Sequence, residues 1–386
     1  MKPIYFDNAA TSYPVSAEVT KAVELFLRGP FGNPGRSGHD PAINTSEAIY
    51  NIRKDLCLFF GVNSPENAAF TYNATSALNE AILGSASAIA AVKGWGFNVI
   101  TSVWEHNSIL RPLYALKDGY NIDIKFISAP FSNRDAVISQ LMSLADKQTG
   151  MICLSACTNT TGETSPYCEI GEIAKRLDIP FILDGSQAAG HFPFSLPDSG
   201  ADILCVPGHK GLLGIMGCGA MILSDTSRIM PDSTMFGGSG VNPQLHTMPQ
   251  EPPERFEAGT PGVPAIIALG KGIELINRTG TDSIRKHEAD LTHFIYDQLS
   301  EMKSIRLYSP DCGGSIILFN TKMSCEIACD MLNSRGICVR GGMHCAPKAH
   351  TAIKTSSNGA VRISVGISNT IKEAQYLVNE IRNLFE

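Results

Sequence analysis

The sequence predicts an α/β fold in which a mostly parallel sheet is covered by helices, followed by a smaller α+β domain. Two observations support this prediction. Short β-branched segments alternate with helix-period segments over residues 98–224, and such alternation implies right-handed crossovers between parallel strands. From about residue 262 long helical segments dominate, with a few short strands between them. A chain of 386 residues is long enough to form both domains.

Each element follows from a local pattern. In the first part of the chain we expect strands at 98–102, 122–128, 151–156, 180–184, 202–206 and 219–224, and helices at 134–147 and 168–177. In the second part we expect helices at 264–278, 281–302, 324–335 and 370–385, and strands near 305–309, 315–319, 337–340 and 361–365. The Pro- and Gly-rich stretch 237–264 is expected to be irregular. We expect a large domain over 17–262 and a small domain formed by 1–16 with 263–386.

The composition excludes several classes of protein. An apolar fraction of 44% and a charged fraction of 18% are ordinary for a soluble globular chain. The net charge of −6 leaves no basic footprint, so no nucleic-acid partner is expected. The most apolar stretch, 81–92, is too short to span a bilayer, which needs about 20 apolar residues. The N-terminus shows no apolar signal segment and the eleven cysteines show no paired spacing, so a reducing cytoplasm is expected.

Polar side chains follow the predicted strands of the first domain. They are His106 after 98–102, Asn159 after 151–156, Asp184 and Gln187 after 180–184, and His209 and Lys210 after 202–206. In an open α/β sheet, ligands bind beyond the carboxyl ends of the strands. Each residue alone has an ordinary structural explanation, since a strand-end Asp often caps a helix and a lone His is commonly a core residue. Their convergence at one sheet edge favours a site.

The residue types at this edge suit pyridoxal phosphate. That cofactor needs a lysine amine for a Schiff base, which Lys210 offers, and a carboxylate at its ring nitrogen, which Asp184 offers. Its phosphate needs N–H groups at a helix N-terminus and hydroxyls. The remaining candidates are Ala74, Thr75 and Ser76 for the phosphate, Thr260 as a second phosphate donor, His106 for stacking on the ring and Gln187 for its phenolic oxygen.

An ordered set of motifs then resembles a known family. The motifs are "YFDNAATS" at 5–12, "NATSALNEA" at 73–81, "EHNS" at 105–108, "TNTTGE" at 158–163, "DGSQAAG" at 184–190, "GHKGLLG" at 208–214, "FEAGTPG" at 256–262 and "VRISVGISNT" at 361–370. The chain resembles the cysteine desulfurase and selenocysteine lyase branch of the class V aminotransferase superfamily. The resemblance covers most of the chain and implies the pyridoxal phosphate fold type I, with a seven-stranded sheet in the large domain.

The resemblance also implies roles for the matching residues. Lys210 would form the Schiff base, while Asp184 and Gln187 would hold the cofactor ring and His106 would stack on it. Phosphate binding would fall to Thr75, His209 and, from the neighbouring subunit, Thr260. Asn159 and Arg362 would bind the substrate's α-carboxylate, with the arginine in bidentate geometry. Because Thr260 would cross between subunits, the resemblance implies a homodimer with shared sites.

The segment "RGGMHCA" at 340–346 resembles the loop that carries the sulfur-accepting cysteine in group II desulfurases. The resemblance implies that Cys345 attacks the sulfur of L-cysteine, or the selenium of L-selenocysteine, and that alanine is released. A persulfide on Cys345 would then pass to an acceptor protein. Arg340 and His344 are candidates for favouring the Cys345 thiolate. Met343 departs from the pattern, because many relatives carry a histidine there.

Other interpretations of this loop and of the chain stay open. Cys345 could be inert packing, and a metal site would need further convergent ligands, so we expect no metal. His350 is assigned no role and is expected at the surface or in a loop. The alternative functions are a selenocysteine lyase, a class V transaminase or epimerase, and a sulfur-delivery component that docks a partner and turns over weakly.

Overall fold

Three β-sheets organise the residues that the computed structural model describes, which are 3–35, 38–310, 314–355 and 357–386. In chain order the strands are β1 (Ile4–Tyr5), β2 (Ala68–Thr71), β3 (Asn98–Ser102), β4 (Asp123–Ile127), β5 (Thr149–Ser155), β6 (Phe181–Asp184), β7 (Ile203–Pro207), β8 (Gly219–Leu223), β9 (Arg306–Leu307), β10 (Ile316–Asn320), β11 (Ile337–Cys338), β12 (Arg340–Gly342) and β13 (Ala360–Ser364).

Helices cover the sheets. They are α1 (Ala17–Arg28), α2 (Asp40–Phe59), α3 (Ala74–Lys93), α4 (Asn107–Tyr120), α5 (Arg134–Leu144), α6 (Tyr167–Arg176), α7 (Leu196–Ser199), α8 (Val263–Thr279), α9 (Thr281–Ser300), α10 (Cys325–Ser334), α11 (Pro347–Ala352) and α12 (Ile371–Phe385), with a 3₁₀ turn at Pro65–Asn67. No helix of the described residues is long and apolar enough to cross a membrane.

The largest sheet has seven strands in the order β2-β8-β7-β6-β5-β3-β4. The five strands from β3 to β7 pair in parallel, and β8 is antiparallel to both of its neighbours. The predicted α/β fold with a mostly parallel seven-stranded sheet is therefore confirmed. Strand β2 escaped the sequence analysis because its four residues, Ala-Ala-Phe-Thr, carry little β-branched signal.

Both faces of this sheet are buried. Alternate residues of β5 enter different cores: Ile152 and Leu154 pack into one, and Met151 and Cys153 pack into the other. All seven residues of β5 are buried, which is why the strand appears in the sequence as a continuous apolar segment. The side chains of α3 fill one core, and those of α2 and α8 contribute to the other.

The C-terminal part forms an antiparallel sheet in the order β12-β13-β10-β9, with a core of its own. Phe6, from the N-terminal segment, is fully buried in that core, and β1 pairs in parallel with β11. The predicted single strand at 337–340 is in fact two short strands, because β11 pairs with β1 while β12 pairs with β13 in another sheet. The domain boundaries themselves stay a prediction.

The connections of the large sheet create a crevice between β3 and β5. From β3 the chain moves outward to β4, and from β5 it moves the opposite way to β6. Ligands bind at such a switch point, beyond the carboxyl ends of the strands. Strand β2 runs in the same direction as β7, since both are antiparallel to β8, so its carboxyl end reaches the same edge.

Candidate active site

A cavity with an open volume of about 520 Å³ lies at this edge of the sheet. It is lined by Asn73, Ala74, Thr75, His106, Ser108, Ser155, Cys157, Asn159, Asp184, Ser186, Gln187, Pro207, His209 and Lys210. The structure therefore brings together eight of the predicted site residues: Ala74, Thr75, His106, Asn159, Asp184, Gln187, His209 and Lys210. Ser76 and Thr260 do not line this cavity, and the residues predicted around Cys345 lie beside it.

Lys210 and Asp184 both line the cavity, as one basic and one acidic side chain. Burial lowers the pKa of Lys210 to about 8, with the carboxylate of Asp184 opposing that shift. Burial likewise raises the pKa of Asp184, against the hydrogen bond that its Oδ1 accepts from the Ser186 N–H at 2.8 Å. Among the described residues the Lys210 amine forms no ion pair or hydrogen bond. A lysine with a lowered pKa and a free amine is suited to nucleophilic attack on an aldehyde.

The first turn of α3 forms one wall. Asn73 caps the helix, its side chain accepting the Ser76 N–H at 2.9 Å, so that Ser76 serves the cap and faces away from the cavity. The N–H groups of Ala74 and Thr75 have no partner among the described residues. A Cβ on Gly219 would lie 2.6 Å from the carbonyl carbon of Asn73, so glycine lets β8 pack directly against this turn. The arrangement suits an anion.

Two histidines flank the lysine. His106 caps α4, its Nδ1 accepting from the Ser108 N–H at 3.0 Å, and Nδ1 of His209 lies 3.1 Å from the Thr11 hydroxyl. Burial, together with the neighbouring Lys210 charge, lowers the pKa of each to about 4. Both imidazoles are therefore neutral near pH 7, which suits His106 for stacking on an aromatic ring.

Arg362 lies on β13 and is 1% exposed. Its Nη2 donates to Asp7 Oδ1 at 2.8 Å and its Nη1 donates to the Asn159 carbonyl at 2.9 Å. Nε of Arg362 and Oδ1 of Asn159 are buried without a partner among the described residues. Burial lowers the pKa of Arg362, against the charge of Asp7. These two unpaired groups could bind a small polar ligand.

The Cys345 loop is attached to the cavity by its backbone. The Asn159 Nδ2 donates to the His344 carbonyl at 2.7 Å, and the Asn107 N–H donates to the Cys345 carbonyl at 2.8 Å. His344 and Cys345 have φ angles of +49° and +56°, a left-handed backbone conformation that residues other than glycine rarely adopt. The Cys345 thiol is exposed, and its sulfur is 4.0 Å from Nη2 of Arg340.

The structure corrects the expectation for His350. It is buried, at 1% exposure, and its Nε2 lies 3.2 Å from Nδ1 of His344. His344 is also buried, and its Nε2 lies 3.2 Å from the Arg340 carbonyl. Spacing alone could not predict this contact, because α11 begins between the two residues and turns His350 back toward the loop.

Two carboxylates of this region were missed by the sequence analysis as site residues. Asp7, which pairs with Arg362, lies in the quoted N-terminal motif, but its partner is 355 positions away. Glu105 precedes His106 and is fully buried, its oxygens accepting from the Ser102 hydroxyl and from Ser155. The position of Glu105 directly before His106, which follows β3, was the sequence signal that could have identified it.

Ser76 and Thr260 line a neighbouring cavity, which shares Thr75 with the first one. Thr260 is exposed, in the irregular segment after β8. Among the described residues no three His, Cys, Asp or Glu side chains form a group that could hold a metal ion. No disulfide joins the ten described cysteines, and Cys312 lies outside the described residues.

The donor set fits pyridoxal phosphate. The cavity offers one unpaired amine at Lys210, one buried carboxylate at Asp184 and unpaired N–H groups at a helix N-terminus. These match an aldehyde, a ring nitrogen and a phosphate, respectively.

Comparisons with known proteins agree with this geometry. A family model described as Aminotransferase class-V matches residues 4–377. A relative from Synechocystis, named "Probable cysteine desulfurase", is 26% identical, covering 98% of this chain and 90% of its own. A "Cysteine desulfurase" of Escherichia coli O139:H28 is also 26% identical, covering 98% of this chain and 93% of its own. The solved apo structure of a cysteine desulfurase from Thermococcus onnurineus matches with a TM-score of 0.89 and 26% identity, covering 99% of this chain and 94% of that one. The predicted branch is confirmed, and the chain belongs to the class V aminotransferase family.

Proposed function

We propose that the chain is a pyridoxal phosphate-dependent cysteine desulfurase, which converts L-cysteine to L-alanine and forms a persulfide on Cys345. One observation carries the proposal. Asn159 lines the Lys210 cavity and at the same time holds the backbone of the Cys345 loop, through the 2.7 Å hydrogen bond to the His344 carbonyl. An exposed thiol is thereby attached to the edge of a cavity fitted for the cofactor. The names of the relatives support the same activity.

The cavity residues would hold the cofactor in distinct ways. Lys210 would bind its aldehyde, Asp184 its ring nitrogen, and the first turn of α3 at Ala74 and Thr75 its phosphate. His106 would stack on the ring, with Gln187 at the phenolic oxygen and His209 supporting the phosphate side. Ser76, predicted as a phosphate ligand, is committed to the Asn73 cap and takes no part. When bound, pyridoxal phosphate supplies an electron sink for negative charge that develops on the substrate carbons.

Arg362, and Asn159 through the second hydrogen of its Nδ2, would bind the substrate's α-carboxylate. The unpaired Nε of Arg362 is a buried donor, and a carboxylate would satisfy it. The ion pair with Asp7 and the bond to the Asn159 carbonyl fix the guanidinium plane beforehand, so little side-chain entropy is lost on binding.

The Cys345 thiolate would attack the sulfur of bound cysteine. A sulfur–sulfur bond forms, the bond between that sulfur and the substrate Cβ breaks, and its electron pair stays with Cβ, which takes up a proton to become the methyl group of alanine. The transferred sulfur remains on Cys345 as a persulfide, so that no external oxidant is required. The Arg340 guanidinium, 4.0 Å from the sulfur, would stabilise the thiolate.

The test is alanine release from L-cysteine with mapping of the persulfide. We expect Cys345→Ala to abolish both while the cofactor absorbance stays, and Cys168→Ala, at a half-buried cysteine on α6, to retain both. Unchanged alanine release by Cys345→Ala would refute the nucleophile. Release from selenocysteine alone would favour the selenocysteine lyase, and activity only with a protein acceptor would favour the docking component.

We also propose a homodimer in which Thr260 serves the partner's site. Thr260 is exposed beside Thr75, and the nearby surface carries the exposed apolar side chains Tyr72, Met235 and Phe236. A cluster of exposed apolar side chains such as these is typical of an interaction site. An acceptor protein would collect sulfur from the exposed Cys345, beside the partly exposed Met343.

Mixed dimers of Lys210→Ala and Thr260→Val chains test this proposal. The single intact lysine in such a dimer shares its site with the normal Thr260 only if Thr260 crosses between subunits. We expect wild-type cofactor affinity at that site, measured by absorbance titration. Affinity equal to that of the Thr260→Val homodimer would refute the crossover.

A further inference from the structure

The contacts of His344 fix where its proton lies. A carbonyl oxygen only accepts, so the hydrogen between His344 Nε2 and the Arg340 carbonyl belongs to Nε2. A neutral imidazole carries a single N–H, which leaves Nδ1 of His344 as an acceptor. The hydrogen in the 3.2 Å contact between the two histidines is therefore donated by His350 Nε2.

The hydrogen-bonded chain continues from His350 to Thr355. With its proton on Nε2, His350 accepts at Nδ1, and the Thr355 hydroxyl lies 3.0 Å away as the donor. The two rings lie nearly parallel, with centroids 5.3 Å apart. Burial lowers the pKa of His344 to about 2 and that of His350 to about 4, so both are neutral near pH 7. The donors therefore run in one direction from His350 through His344 to the Arg340 carbonyl, and the Thr355 hydroxyl lies between His350 Nδ1 and the His350 carbonyl, 3.5 Å away.

We propose that His350 is a positioning residue, which through His344 holds the loop that presents Cys345. The proposal rests on the proposed function in taking Cys345 as the nucleophile. Both ring nitrogens of His344 are engaged, so in this arrangement His344 is no base for the neighbouring thiol. Its contribution is to tie the loop to Arg340 on β12 on one side and to α11 on the other.

The conformation of the loop depends on its contacts. His344 and Cys345 both have positive φ angles, a conformation that persists only when surrounding contacts enforce it. Asn159 and Asn107 donate hydrogen bonds to the carbonyls of His344 and Cys345, respectively. The contacts with His350 and Arg340 hold the side chain of His344. Removing the His350 donor leaves a buried acceptor on His344 unpaired, which favours opening of the loop.

A matched pair of amide variants tests the proposal in the holoenzyme. In His350→Gln the amide nitrogen can replace Nε2 and donate to His344, whereas in His350→Asn the shorter amide reaches only the Nδ1 position. The first readout is hydrogen exchange at the amides of Ala346, His350 and Thr355, which are bonded within this segment. We expect exchange about tenfold faster in His350→Asn, the size of effect that loss of one buried hydrogen bond gives, and near wild type in His350→Gln.

The second readout is the kinetics of alanine release. We expect kcat to fall about tenfold in His350→Asn with KM for cysteine nearly unchanged, because Arg362 is untouched, and to recover in His350→Gln. Equal behaviour of the two variants, or unchanged exchange in His350→Asn, would overturn the proposal. If His350→Asn fails to fold, Thr355→Val against Thr355→Ser gives the same comparison with smaller effects. Absence of alanine from the wild type would instead refute the proposed function, and the exchange result would still stand.

Discussion

Replacing Glu105 by glutamine is expected to remove a pH dependence from the stability of the protein. Glu105 is fully buried between the ends of β3 and β5, and its oxygens accept from Ser102 and from the N–H of Ser155 at 2.9 Å. Burial raises the pKa of Glu105 from its ordinary value of 4.5 to about 8, against those hydrogen bonds, and Asp184 contributes to the rise. Glutamine has the same shape and stays neutral at every pH of interest.

The sign follows from the two pKa values. Below about pH 4.5 the carboxyl is protonated in both folded and unfolded chains. As the pH rises toward about 8, the unfolded chain releases the proton and the folded chain retains it, so unfolding becomes easier. The loss is about 1.4 kcal/mol per pH unit, or about 2.7 kcal/mol from about pH 5.5 to about pH 7.5. Above about pH 8 the loss stays constant.

Urea unfolding of wild type and Glu105→Gln at several pH values, at one fixed cofactor concentration, measures this effect. The titrations that the two proteins share cancel, so the difference in free energy of unfolding should move in favour of Glu105→Gln by about 2–3 kcal/mol over that range. Glu172→Gln, at an exposed position on α6, controls for the loss of a carboxylate. A difference that stays constant with pH would show that Glu105 is ionised in the folded protein and refute the reasoning.

Three further results are expected. The rate at which the ligand-free protein binds pyridoxal phosphate at Lys210 should rise with pH, with a midpoint at about pH 8. Asp184→Asn should move that midpoint to lower pH, because the Asp184 charge raises the pKa of Lys210. Stopped-flow absorbance measures the rate, and a shift of the midpoint to higher pH would contradict the expectation. Arg362→Lys should raise KM for cysteine about tenfold or more through loss of the guanidinium donors, and an unchanged KM would exclude Arg362 from carboxylate binding. Asp7→Asn should lower the free energy of unfolding by about 2–3 kcal/mol, because the buried Arg362 loses its counter-charge, and a urea midpoint equal to that of wild type would contradict this.

Most of the fold could be predicted from the sequence because its signals are local. The buried strands β5, β6 and β7 contain continuous apolar segments and β3 carries β-branched residues, and each was placed within about two residues of its observed bounds. The strand-end residues converge for the same reason, since parallel strands place their carboxyl ends together. The short edge strand β2 and the break between β11 and β12 depend on which distant strand each segment pairs with, and composition does not encode that.

The site was predicted less completely where function depends on distant contacts. Asp7, Asn159 and Arg362 come from separate elements and meet only in the folded chain. The burial of His350 was not predicted, because it depends on the turn into α11, which packs this histidine against His344. Sequence patterns therefore identify which residue types are available, and packing decides which of them touch.

The charges of the site explain why it should bind anions. His106, His209 and His344 are held neutral by burial, so they add no positive charge near pH 7. The remaining cations are Lys210, Arg340 and Arg362, and the positive charges of the two arginines lower the pKa of Lys210. The carboxylates of Asp184 and Asp7 offset part of the repulsion among these cations. The unpaired N–H groups of α3 add partial positive charge to the site. A phosphate at α3 and a carboxylate at Arg362 would neutralise the excess positive charge. Repulsion among the cations of the ligand-free site therefore favours binding of the two anionic groups of the proposed cofactor and substrate.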